Sequence, residues 1–216
     1  MKKGKKKMRT NVNIDRVEAY KMLQISMESL MNNMDLKTIA FSSLSDSEDK
    51  SRHVFSIAEL MVKEGKRVLL LECSSKDSKV NEFFEKLNVI NGAEPNDTNK
   101  DIPSLYVLVE GQKVENFENS GDSQNSGDSQ NLESLEYVVN TSNIAMILEI
   151  AREKYDVVLI DAPPVGYSAD GLKLCAAADG TILVIRAGEA PVELAIKTKN
   201  MLNTLGAKII GTILEK

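Results

Sequence analysis

With 216 residues, 42 % of them hydrophobic, the chain can form one large domain with a sizeable core, and two cysteines are too few for a disulfide framework. A net charge of −5 lacks the basic footprint of a nucleic-acid binder, so no nucleic-acid partner is expected. That charge is uneven, because the first nine residues carry +6 and the rest carries −11.

Residues 1–14 read as a basic, disordered terminus that could touch anionic lipid or an acidic partner. They lack the apolar core of a signal peptide, and no apolar run reaches the roughly 20 residues of a spanning helix. A reducing cytoplasm is the expected compartment. Residues 15–216 read as a single domain. From Asp15 to about Asn33, Val17, Tyr20, Leu23, Met27, Leu30 and Met31 recur near helical spacing. A strand is expected over Thr38–Ser42, a helix over Ser51–Glu64 ended by Gly65, and a buried strand over Arg67–Leu71. A short helix near Lys79–Leu87 and a strand at Leu105–Val109 follow.

The rhythm then breaks. Ser120-Gly121-Asp122-Ser123-Gln124-Asn125 is repeated from Ser126, without apolar anchors to offset the entropy of ordering. About 112–131 is expected to be a mobile polar insertion within the domain. Beyond it come a helix over Thr141–Lys154, a strand over Val157–Ile160, a helix over Ala169–Ala177 and a strand over Thr181–Ile185. A helix over Pro191–Leu205 and a strand over Ile209–Leu214 complete the series. Apolar strands alternating with helices imply an α/β fold, a mostly parallel sheet covered by helices on both faces.

Two segments carry chemistry. Ser43-Leu44-Ser45-Asp46-Ser47-Glu48-Asp49-Lys50-Ser51 lies between strand and helix, the position of a phosphate-binding loop, and keeps the Lys-Ser ending. It contains no glycine: Leu44 and Asp49 stand at the two glycine positions. A carboxylate about 5 Å from a phosphate charge opposes it by about 3 kcal/mol at an effective dielectric of 20. Lys50 and Ser51 keep the identities for phosphate and Mg²⁺ contact. Tyr155-Asp156-Val157-Val158-Leu159-Ile160-Asp161-Ala162-Pro163-Pro164 is an apolar strand ending in an acid, a Walker B pattern, with Asp161 a candidate Mg²⁺ ligand. His53 reads as a surface or packing histidine with no acid–base partner identifiable from sequence, and Cys175 as a small buried residue.

These residues resemble a bacterial tyrosine kinase of the capsular and exopolysaccharide type, within the MinD/ParA-like group of P-loop proteins. The resemblance runs from Glu18 to Glu215. Glu18-Ala19-Tyr20-Lys21-Met22-Leu23-Gln24 keeps the frame of the family's self-association helix but replaces both arginines. The family's Asp-x-Asp-x-Arg strand end is met by Glu72-Cys73-Ser74-Ser75-Lys76, which keeps one carboxylate. Asp161-Ala162-Pro163-Pro164 matches the family's third signature, and Glu215 stands where relatives place Asn near the adenine. The family's tyrosine-rich tail has no counterpart, and Tyr20, Tyr106, Tyr137, Tyr155 and Tyr167 are scattered, each with a packing explanation.

The resemblance implies ATP and Mg²⁺ as cofactors, Lys50 and Ser51 for nucleotide, Ser51 and Asp161 for Mg²⁺, and Glu72 and Asp161 as catalytic acids. It further implies a membrane-anchored polysaccharide assembly or activator protein as partner, homo-oligomerisation through a weakened motif, and a cytoplasmic place at the inner membrane face through that partner. Loss of the loop glycines, one acid, both arginines and the tail together points to a degenerate, regulatory member with weak or no ATP turnover. An active kinase or ATPase with an atypical loop is the alternative. A MinD/ParA-like positioning switch would need a further lysine early in the loop, where Leu44 and Ser45 stand.

Overall fold

The computed structural model describes residues 16–45, 48–73, 105–109, 113–114, 137–138, 143–188 and 191–215. The chain order is α1 (Arg16–Met34), β1 (Thr38–Ser43), α2 (Glu48–Lys63), β2 (Val68–Glu72), β3 (Leu105–Val109), β4 (Lys113–Val114) and β5 (Tyr137–Val138). There follow α3 (Ile144–Lys154), β6 (Val157–Asp161), α4 (Ala169–Ala177), β7 (Gly180–Arg186), α5 (Val192–Thr204) and β8 (Ile209–Glu215). Six strands form one parallel sheet in the order β3-β2-β6-β1-β7-β8, as the alternating pattern predicts. The expected helix at 79–87, the tandem repeat and residues 1–14 lie outside the described residues. Lys113–Val114 pairs antiparallel with Tyr137–Val138, one short ribbon on either side of the repeat in sequence.

The central strands β1, β2 and β6 are buried on both faces, which is why they read as continuous apolar runs rather than alternating ones. Ile39, Phe41, Val68, Leu70, Val157 and Leu159 point to one face with Met27 and Met31 of α1 and Val54, Ile57 and Met61 of α2. Their neighbours Ala40, Leu69, Leu71, Val158 and Ile160 point to the other, against Leu148 of α3, Leu174 of α4 and Leu202 of α5. Cys175 is fully buried there, as expected, and burial pushes its thiol up to about 11. Gly206 closes α5 at φ 81°, a left-handed angle that suits glycine after a helix end. Pro191 stands one residue earlier than expected, as the cap whose carbonyl accepts from the Leu194 and Ala195 amides. No described helix is long and apolar enough to cross a membrane.

The N-terminal ends of the central strands are tied by Asp179. Its carboxylate accepts from the amides of Lys37 and Thr38 at 2.9 and 2.8 Å and from Arg152 at 2.8 Å, and its own amide donates to Thr38 Oγ1. Burial alone raises its proton affinity, but the Arg152 bond and the two amides together hold it below the usual carboxylate range. Such a carboxylate stabilises the fold above an unfolded pKa of about 3.9, and that contribution is lost as pH falls through the lower folded value. Asp179→Asn is therefore expected to lower stability at neutral pH and to flatten its decline below about pH 4. Urea midpoints at pH 7 and pH 3 check this; equal losses at both would contradict it.

Candidate functional site

The sheet order places a topological switch at its centre. From β1 the chain leaves through α2 towards β2, and from β6 it leaves through α4 towards β7, so the C-terminal ends of β1 and β6 open a crevice. Asp161 ends β6 there, in register with Phe41 on one side and Glu72 on the other. Adjacent strands lie about 4.8 Å apart, so Glu72 and Asp161 stand side by side. Both share the parity of Leu70 and Leu159 and hence face α2.

From the first turn of α2, Lys50 reaches back to this edge. Its ammonium lies 2.5 Å from Asp161 Oδ1 and donates to the Ala162 carbonyl. Lys50, Asp161 and Glu72 are only 3 %, 3 % and 4 % exposed. Two strand-end carboxylates and one ammonium thus meet in a nearly dry pocket, where an ion pair survives only with close geometry and added hydrogen bonds. Ser51 follows on α2, half-buried beside Lys50. The structure brings Lys50 onto Asp161 and sets Glu72 beside Asp161 in register; the direction of Lys50, into the strand edge, was not legible in the sequence.

The loop from β1 is fastened to the Asp-Ala-Pro-Pro turn. Ser42 Oγ donates to the Pro163 carbonyl at 2.6 Å and accepts from the Val165 amide, which also donates to the Ser43 carbonyl at 2.9 Å. Ser43 Oγ turns inward to the Ser45 carbonyl at 2.5 Å. Leu44, at the first glycine position, is 2 % exposed, and its carbonyl lies so close to Gly166 that a Cβ there would sit 2.0 Å away. The close packing of this loop is therefore between the Leu44 backbone and Gly166, where only a residue without a Cβ fits.

A Mg²⁺-triphosphate fits these residues poorly. Its lysine is turned onto Asp161, its glycine position holds a buried leucine, and Asp46, Glu48 and Asp49 crowd the helix start in sequence. Among the described residues no three His, Cys, Asp or Glu side chains converge as a metal site.

A second polar constellation occupies the same sheet edge. His53, one turn beyond Lys50, has its Nδ1 2.9 Å from Tyr20 Oη of α1 and its Nε2 2.6 Å from Glu215 Oε1 at the end of β8. Arg186 Nε donates to Glu215 Oε2 at 3.3 Å. The sequence offered His53 no acid–base partner; the fold supplies one from 162 positions away. Only the position of Glu215 at a strand end, beyond a run of apolar residues, hinted at it. Tyr155 is buried as expected, but Tyr167 is 62 % exposed on the turn before α4, so packing does not account for it.

The strand order, the lysine on the helix after β1 and the acid ending β6 are those of the MinD/ParA-like P-loop fold. Consistent with this, MinD of Aquifex aeolicus superposes with a TM-score of 0.53 over 82 % of this chain and 68 % of that one, at 17 % identity. No protein-family model matches the chain. Within the group, it is similar to the tyrosine-protein kinase YwqD of Bacillus subtilis, 26 % identical over 203 residues covering 91 % of this chain and 79 % of the relative. The kinase domain of the Escherichia coli tyrosine kinase ETK superposes with a TM-score of 0.65 over 96 % of this chain and 84 % of that one, at 17 % identity. The chain is thus similar to bacterial tyrosine-protein kinases, in sequence to YwqD and in fold to ETK, as its motifs implied.

Proposed function

We propose that the chain is a regulatory relative of these kinases, with weak or no ATP turnover, acting in capsular or exopolysaccharide synthesis by binding a membrane-anchored activator or chain-length regulator. The observation that carries this reading is the Lys50–Asp161 ion pair beneath a glycine-free loop. A phosphate can claim Lys50 only by separating a buried pair, in a loop whose first glycine position carries a buried leucine. Binding has surfaces to use: α1 leaves Val17, Met22 and Ile25 more than half exposed, on the helix that carries the family's self-association frame. Docking on a partner would bring the domain to the inner face of a membrane, no helix among the described residues being long and apolar enough to cross it.

Titration calorimetry with Mg²⁺-ATP and Mg²⁺-ADP tests the reading. No heat up to millimolar nucleotide is the expected result, and submicromolar binding would overturn it.

The convergence of Lys50, Glu72 and Asp161 at the strand edge favours the second reading, an active protein-tyrosine kinase or ATPase with an atypical loop. In that reading Lys50 and Ser51 would hold the nucleotide, Ser51 and Asp161 the Mg²⁺, and Glu72 and Asp161 would supply the carboxylates. Transfer of labelled phosphate from ATP to a tyrosine substrate by the purified chain would establish it.

A further inference from the structure

The Tyr20–His53–Glu215 series is ordered as a nucleophile, a base and a group that orients the base. Glu215 can only accept hydrogen bonds when ionised, so the 2.6 Å contact places a proton on His53 Nε2. In the neutral ring Nδ1 is then the acceptor, and Tyr20 Oη, 2.9 Å away, donates its proton to it. Arg186 holds the far carboxylate oxygen, and the Ala187 amide holds the Glu215 carbonyl at 2.9 Å, so the orienting group is itself fixed. His53 is half-buried at 15 % exposure, and Tyr20 is also half-buried rather than sealed in the core. The series lies where α1, α2 and β8 meet.

We infer that Tyr20 is a phosphoryl-acceptor site, activated by His53 as base, with Glu215 as a positioning residue. The donor is a nucleoside triphosphate held by a tyrosine kinase acting in trans. In the step, Tyr20 Oη forms a bond to the γ-phosphorus and the bond from that phosphorus to the β,γ-bridging oxygen breaks. The bonding pair leaves with the nucleoside diphosphate, and the phenolic proton passes to His53 Nδ1 and then to solvent. The product carries about −1.5 to −2 charge close to Glu215 and no longer has the hydroxyl proton that bonds His53. Its effect is to loosen the first half of α1 from α2, on the segment that carries the self-association frame. This inference rests on the kinase relationship and stands whether or not the chain itself holds nucleotide.

The nucleophilicity is read without any kinase by reacting the full chain with an aryl sulfonyl fluoride and following each tyrosine by peptide mass spectrometry. Tyr20 is expected to react faster than Tyr167, although Tyr167 is the more exposed. His53→Ala is expected to slow Tyr20 by about 10²-fold or more, to leave Tyr167 unchanged, and to be partly rescued by free imidazole. Rescue separates a base from a packing side chain. The phosphoryl step is read by incubation with Mg²⁺-ATP alone and with Mg²⁺-ATP plus the Bacillus subtilis kinase. Phosphate on Tyr20 only with the added kinase supports both this site and the low-turnover reading. Phosphate on Tyr20 with Mg²⁺-ATP alone supports this site and overturns that reading. Tyr20 reacting no faster than Tyr167, slowing by His53→Ala without imidazole rescue, or phosphate placed only on other tyrosines would each overturn the inference.

Discussion

Lys50→Met is expected to destabilise the protein by about 3–5 kcal/mol, the loss that follows when one partner of a buried ion pair is removed. The size comes from burial. Asp161 is 3 % exposed and lies beside Glu72 in the register of two central strands, so losing the ammonium leaves a carboxylate with little access to water. Methionine retains much of the lysine stem's volume, so the loss reports charge rather than a cavity. Urea unfolding of Lys50→Met and of Lys50→Met with Asp161→Leu separates the two. The double variant is expected to recover most of the stability, since exchanging both ions for apolar groups is often neutral or favourable. A single variant as stable as the parent would show that Lys50 spends little time on Asp161. The expectation also governs any activity assay: Lys50→Met removes a phosphate ligand and a structural ion together, so lost phosphoryl transfer counts only if the variant remains folded.

Most of the fold could be read from the chain because it is written locally. Runs such as Val157–Ile160 and Val68–Leu71 are apolar on both faces, and the helices between them carry their own boundaries, as Gly206 does for α5. Helix α2 begins three residues earlier than expected, at Glu48, because the start was sought after the Lys-Ser pair. Position also placed Lys50, between a strand and a helix, and Asp161, since an acid at the end of an apolar strand falls at the sheet's C-terminal edge whatever the rest of the fold does; Glu72 was reached only through the resemblance. Pairings between distant segments were not legible. Lys50 meets Ala162 across 112 positions and His53 meets Glu215 across 162, and neither element's sequence names its partner. Glycine loss told what the loop had given up; only the structure shows Leu44 packed in the vacated position and Lys50 turned onto Asp161.

Restoring both glycines, by Leu44→Gly with Asp49→Gly, is expected to tighten Mg²⁺-ATP binding by about 10²-fold while lowering stability. The affinity gain is that of removing one carboxylate from the loop, since a carboxylate at about 5 Å would oppose a phosphate charge by about 3 kcal/mol at an effective dielectric of 20. The stability loss follows from Leu44, which is 2 % exposed; stripping such a side chain costs about 2–5 kcal/mol. Calorimetry and urea unfolding on the two single variants and the double assign each effect. Asp49→Gly alone should carry most of the electrostatic gain and Leu44→Gly most of the lost stability. If the isotherm stays flat while the unfolding midpoint falls as expected, the obstacle is the Lys50–Asp161 pair, because the ligand must still draw the ammonium out of a pocket in which it already has a carboxylate and the Ala162 carbonyl. Closure would then lie in the ion pair, with the missing glycines a consequence of a site that no longer opens.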